Sequence, residues 1–118
     1  MIKIPHLDDD PYLPAVGEVY WVNCTIITPA DSKPDRPVLV VSVPADALGR
    51  ITVVTRTSNT QRRPGVASAV DDALGLNKPG VWGYVRTAEA ALWTPTMVTY
   101  RGVIEVEVLQ QVREEFGL

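Results

Sequence analysis

The run PVLVVSV at residues 37–43 constrains the fold more than any other stretch of the chain. It opens on a proline, is apolar except for Ser42, is rich in β-branched residues and is followed by the turn-forming PADALG, which is the pattern of a strand buried on both faces. Such a strand needs apolar material above and below it, so the 118 residues must build layers around it. The neighbouring segments supply them. In VGEVYWVNC, Val19, Trp21 and Asn23 fall on one side of a strand and Glu18, Tyr20 and Val22 on the other. In RITVVTRTS, Ile51, Val53 and Thr55 alternate with Thr52, Val54 and Arg56. Further strands are read from Val66 to Val70, in VWGYVRT (81–87) and in MVTYRGV (97–103). The tail IEVEVLQQVREEF changes period: Val108, Leu109, Val112 and Phe116 fall on one helical face.

Turn formers separate these pieces. TIITPADSKPD (25–35) reads as a loop, and QRRPG and NKPG read as turns. The fold class that follows is mostly β, a small antiparallel barrel or strongly bent sheet with a C-terminal helix. Residues 16–118 make one domain, and residues 1–15, carrying LDDDP, are read as an extended acidic arm. No apolar run is long enough to span a membrane, and the first residues lack the apolar core of a signal peptide, so the expected location is the cytoplasm. One cysteine, Cys24, cannot form an internal disulfide, and with the lone His6 it makes no zinc set. Neither a metal nor another cofactor is expected.

The net charge of −3 is unevenly distributed. Lys33, Arg36, Arg50, Arg56, Arg62, Arg63, Lys78 and Arg86 lie in the middle of the chain against only Asp35, Asp46, Asp71 and Asp72, whereas both ends are acidic. A basic middle suits a polyanion groove, although a solvated surface gives the same count. Within it, KPDRP places Arg36 between two prolines that force an extended backbone and hold the arginine at the entrance of the buried strand. Capping a sheet edge and binding a phosphate are both open to a guanidinium fixed in that way.

The order GEVYWV, RPVLVVS, ITVVTRTS and a closing amphipathic helix resembles the MazF/PemK/Kid family of toxin ribonucleases over nearly the whole chain after residue 15. The resemblance implies an SH3-like barrel, a homodimer, a cognate antitoxin and metal-independent cleavage of single-stranded RNA. It assigns catalytic roles to Arg36 of the Arg-Pro motif, to Thr57 of the Thr-Ser motif and to Arg86, and places Arg62 and Arg63 in a loop where members of the family often contact RNA; RNA contacts are also expected at Lys33, Arg56 and Ser58 in and around the basic middle. Two departures are visible. Ala88 stands where the Kid-like branch has an aspartate, and the histidine and acid often found before Arg-Pro are absent, which leaves the general base unnamed. A degenerate member that only binds nucleic acid or protein is the alternative. A gyrase-poisoning CcdB-like toxin ranks lower, because the chain ends Phe116-Gly117-Leu118 without the expected tryptophan.

Metal-free RNA cleavage needs the 2′-hydroxyl deprotonated, the phosphorane neutralised and the leaving 5′-oxygen protonated. Arg36 offers paired donors to phosphate oxygens, and Thr57 and Ser58 offer hydroxyl donors beside it. Trp21, Trp82 and Trp93 are candidates either for base stacking or for the core.

Overall fold

The structure is a computed structural model that describes residues 10–30 and 33–118. Most of the acidic arm, and with it His6, lies outside the described residues. Among the described residues, seven antiparallel strands form one sheet: β1 (Glu18–Asn23), β2 (Ile27–Thr28), β3 (Asp35–Ser42), β4 (Arg50–Thr57), β5 (Val66–Ser68), β6 (Gly80–Glu89) and β7 (Val98–Val103). The hydrogen-bonded order is β2-β6-β4-β3-β1-β7, with β5 also pairing β6. The sheet bends like a barrel, but its path ends at β2 and β7 rather than closing on itself. Helix α1 (Val106–Phe116) follows. No described helix is long and apolar enough to cross a membrane.

The central strands are covered on both faces, as their composition requires. Val38 and Val40 of β3 join Tyr20, Val22, Ile51, Val53 and Trp93 in one apolar cluster, while Leu39 and Val41 join Val19, Val54 and Trp82 in a second. Alternation along a strand therefore feeds two cores, one on each side of the sheet. In the first, Tyr20 meets the rings of Trp93 and Tyr100 edge-on, with centroids 5.0 and 5.5 Å apart. Helix α1 covers the second with Val108, Leu109, Val112 and Phe116, the residues its 3.6 period places on one face. Arg113 fixes the helix end to the sheet by donating from Nη2 to the Val41 carbonyl at 2.8 Å. Gly117, at φ +66°, stops the helix by donating its N–H to the carbonyls of Arg113 and Glu114, a left-handed cap that suits glycine.

Two sequence expectations change. The segment read as one loop from residue 25 contains a 3-10 turn (Cys24–Ile26) and the two-residue β2 against Ala88 and Thr87. The reason is burial: Ile26 and Ile27 are drawn into the first core, and the turn-forming composition begins only at Pro29. The strand expected to run to Val70 ends at Ser68, where the carbonyls of Ser68 and Ala69 turn toward the Arg56 side chain. Before β1, the Tyr12 N–H donates to the Trp93 carbonyl at 3.0 Å and Pro14 is buried, so this end of the arm lies on the turn after β6.

Candidate functional site

The two prolines do hold Arg36 in extended backbone. β3 begins at Asp35, two residues before the apolar run, because Asn23 and Val22 of β1 continue to pair opposite Asp35 and Arg36. Half-buried there, Arg36 donates from Nη1 to the Arg56 carbonyl at 3.4 Å, a contact that leans its guanidinium toward β4. Thr57, the last residue of β4, is 7 % exposed. Its Oγ1 accepts from the Asn59 N–H at 3.2 Å, which leaves the hydroxyl hydrogen for an acceptor supplied from outside.

These residues line one cavity of about 280 Å³. One wall is made by Trp21, Lys33, Asp35, Arg36 and Pro37; Arg56, Thr57 and Ser58 join it, and Gly75, Leu76, Asn77 and Lys78 form the facing wall. Four cationic residues, Lys33, Arg36, Arg56 and Lys78, thus line it together with, among the described residues, one acidic residue, Asp35. The charge asymmetry of the sequence is concentrated at a concave site, where low-dielectric walls strengthen a positive field. Among the three tryptophans, Trp82 and Trp93 are fully buried, whereas half-buried Trp21 presents an aromatic surface to the cavity.

Arg56 is placed differently from a surface RNA contact. It is 6 % exposed, and burial lowers its affinity for its proton relative to an ordinary guanidinium. Nε donates to Ser68 Oγ at 2.8 Å, and Nη2 reaches the carbonyls of Ser68, Ala69 and Lys78 at 3.1, 3.4 and 2.6 Å. Space for it depends on Gly80, where an added Cβ would stand 2.6 Å from the Thr57 carbonyl oxygen and 2.9 Å from Arg56 Cζ. Gly80→Ala is therefore expected to cost about 1–3 kcal/mol by overpacking, read as a lower urea midpoint with an unchanged slope.

A second basic group adjoins the cavity through Thr57. Gly83 is bare, so Arg62 crosses it: a Cβ there would lie 2.8 Å from Arg62 Cγ and 3.6 Å from Thr57 Cγ2. Arg62 then donates from Nε to the Gly83 carbonyl at 3.1 Å and stacks over Tyr84 with Cζ 4.1 Å from the ring centroid, a cation–π contact. Arg86 lies 5.3 Å from the same ring. It does not line the cavity; its Nη1 donates to the carbonyls of Pro29 and Ala30 at 2.6 and 3.5 Å, gripping the loop that leads to Lys33 and Asp35. Arg63 is exposed and donates to the carbonyls of Thr60 and Arg62 within its own turn. Arg50 sits at the far end of β4, beside Thr87 and 3.8 Å from Glu89.

No family model and no curated protein matches the chain. Solved structures do. Over 90 % of its length, the chain is similar to a chain of the MazE–MazF crystal structure (Form-II) from Deinococcus radiodurans, at 22 % identity, with 93 % of that chain covered and a TM-score of 0.62. The Form-III structure from the same organism gives 23 % identity, 94 % coverage of its chain and a TM-score of 0.61. The fold is MazF-like.

In this MazF-like fold, Ala88 is fully buried and pairs with Ile27 and Ile51 inside the first core. A carboxylate there would face apolar neighbours, so the alanine fits this chain's own packing. Among the described residues, the carboxylate that lines the cavity is Asp35, immediately before Arg36. The facing wall was hidden: NKPG reads as a plain turn, yet Asn77 and Lys78 within it stand across the cavity. The available signal was Lys78's membership of the basic middle. Among the described residues, no group of three or more His, Cys, Asp or Glu could hold a metal ion.

Proposed function

We propose that the chain is the toxin of a toxin–antitoxin pair and that it cleaves single-stranded RNA at the Arg36–Thr57 cavity without a metal ion. The observation that carries this reading is the convergence of Arg36, Lys33, Lys78, Thr57 and Ser58 on one cavity together with, among the described residues, one carboxylate, Asp35. Each step of RNA transesterification has a candidate group there. Asp35 removes the proton from the 2′-hydroxyl, whose oxygen attacks phosphorus. Arg36 and the Thr57 hydroxyl donate to the non-bridging oxygens as the phosphorane gains charge. An ammonium group, Lys33 or Lys78, gives a proton to the departing 5′-oxygen. The products are a 2′,3′-cyclic phosphate and a 5′-hydroxyl.

Single-stranded RNA suits the surroundings because Trp21 can stack with an unpaired base. Arg62, stacked on Tyr84 beside Thr57, extends the basic track away from the cavity, with Arg63 at its outer turn. Arg86 supports the track by holding the loop before Lys33. An antitoxin partner belongs to the reading because the similar chains come from MazE–MazF crystals. A homodimer also belongs to it, with the β7 edge, where Tyr100 and Val103 are exposed, as a surface that could be covered.

The test is incubation of purified protein with a long mixed-sequence RNA in EDTA, followed by mapping of the cut ends. Cuts at one short recurring sequence with 5′-hydroxyl ends are expected. A folded protein that leaves this RNA intact would transfer the site to a binding module.

A further inference from the structure

Residues 75–78 line the cavity, yet the 69–79 segment that carries them contains no named strand, only the short 3-10 turn Asp72–Leu74 and an isolated bridge between Asp71 and Leu76. Something must hold it. Leu74 and Leu76 anchor its middle in the second core and Arg101 donates to the Leu74 carbonyl, while its two ends are tied by Arg56, whose side chain collects the carbonyl of Ser68 at the end of β5, that of Ala69 just after it, and that of Lys78 just before β6. Both ends of the segment are therefore tied to one planar group. A guanidinium can do this because its donors diverge in a fixed fork, whereas an ammonium offers one point.

The same residue has an unusual charge environment. A buried cation ordinarily keeps a carboxylate close by, because desolvation is otherwise uncompensated. Among the described residues, Arg56 has no ion pair; its partners are a hydroxyl and three carbonyls. Those dipoles satisfy hydrogen bonds but do not cancel a unit charge, and Arg56 lines the cavity that Arg36 and Lys78 also face.

We infer that Arg56 is the positioning residue of the anion site: it fixes the Asn77–Lys78 wall opposite Arg36 and lends the cavity an uncancelled positive charge that draws in an RNA phosphate. The inference rests on the RNA reading above and deepens it, since it separates a residue that touches phosphate from one that builds the place where phosphate binds. Arg56 acts through Lys78 and through its field.

The experiment measures binding rather than cleavage, using a short 2′-O-methyl RNA whose blocked 2′-oxygen cannot attack, titrated at several salt concentrations. Arg56→Gln is expected to weaken binding about tenfold and to make the slope of log K against log salt shallower by roughly 0.7, the loss of about one counterion-releasing charge on a single strand. Arg56→Lys is expected to recover the slope but not the full affinity, because it retains the charge and loses the fork. A folded Arg56→Gln protein with wild-type affinity and slope would overturn the inference while leaving the RNA reading intact. Failure of the wild type to bind this RNA at low salt would remove the RNA reading itself, and the inference with it. If Arg56→Gln does not fold, Ser68→Ala decides: it keeps the charge and removes one tie, so amide exchange at Asp71 and Leu76, whose N–H groups bond each other's carbonyls within the segment, is expected to quicken severalfold, and unchanged exchange overturns the positioning role.

Discussion

Arg36→Ala is expected to lower the cleavage rate of single-stranded RNA by about 10²–10³-fold, the range found when one preorganised donor to a developing oxyanion is removed. The loss should fall mainly on kcat, because the phosphorane carries more charge on its non-bridging oxygens than the ground-state diester and the guanidinium is fixed where that charge develops. Its fixation comes from β3: the backbone is extended between two prolines, pairs with Val22 and is steadied by the contact to the Arg56 carbonyl. Arg36→Lys keeps the charge but not the paired donors and should fall between wild type and alanine. Single-turnover cleavage of an oligonucleotide containing the mapped site, run beside 2′-O-methyl RNA binding, separates the two contributions. An alanine variant that cuts at the wild-type rate would make Arg36 a structural cap and leave the cavity without its main phosphate donor.

The architecture was readable because it rests on local signals. β3 and β4 are runs of β-branched residues bounded by prolines and turn formers, and the alternation in β1 separates Val19 from Tyr20 and Val22, which enter opposite cores. The helical face of Val108, Leu109, Val112 and Phe116 was equally plain. What could not be read depends on contacts between distant segments. Ile27 pairs with Ala88, a register that no local pattern announces. Arg56 resembles an outward-facing strand arginine in its alternating run, but Ser68 and Lys78, 12 and 22 residues away, convert it into an interior tie.

The candidate site divides along the same line. Arg36, Thr57 and Ser58 lie in or next to strands and carry motif spacing, so their place at one cavity is legible in the sequence. Arg86 carries motif spacing too, yet its side chain turns toward Pro29 and Ala30, because a strand residue's direction is fixed by register and its reach by whatever loop lies alongside. Asn77 and Lys78 sit in a turn whose composition explains itself fully as a turn. Only the fold of the 69–79 segment, held at both ends, brings them opposite Arg36.

Asp35→Asn is expected to have the other large effect, a fall in cleavage of about 10²–10⁴-fold, the usual contribution of a general base. Asparagine has almost the same shape and retains an acceptor oxygen, so the pairing of β3 with Asn23 should survive, and stability should change by less than about 0.5 kcal/mol, as for most exposed substitutions. What disappears is the ability to take a proton. Cleavage should therefore fall in the variant, while binding of 2′-O-methyl RNA should hold or tighten, because a negative charge has been removed from a cavity that binds an anion. That combination distinguishes a base from a mere lining residue: neutralising an idle carboxylate would improve binding and leave kcat alone. If the variant cleaves normally, the proton leaves by way of another group lining the cavity, Lys33 and Lys78 among them. If it binds but does not cleave, Asp35 and Arg36 form a unit of two adjacent β3 residues, one activating the nucleophile and the other receiving the charge that results.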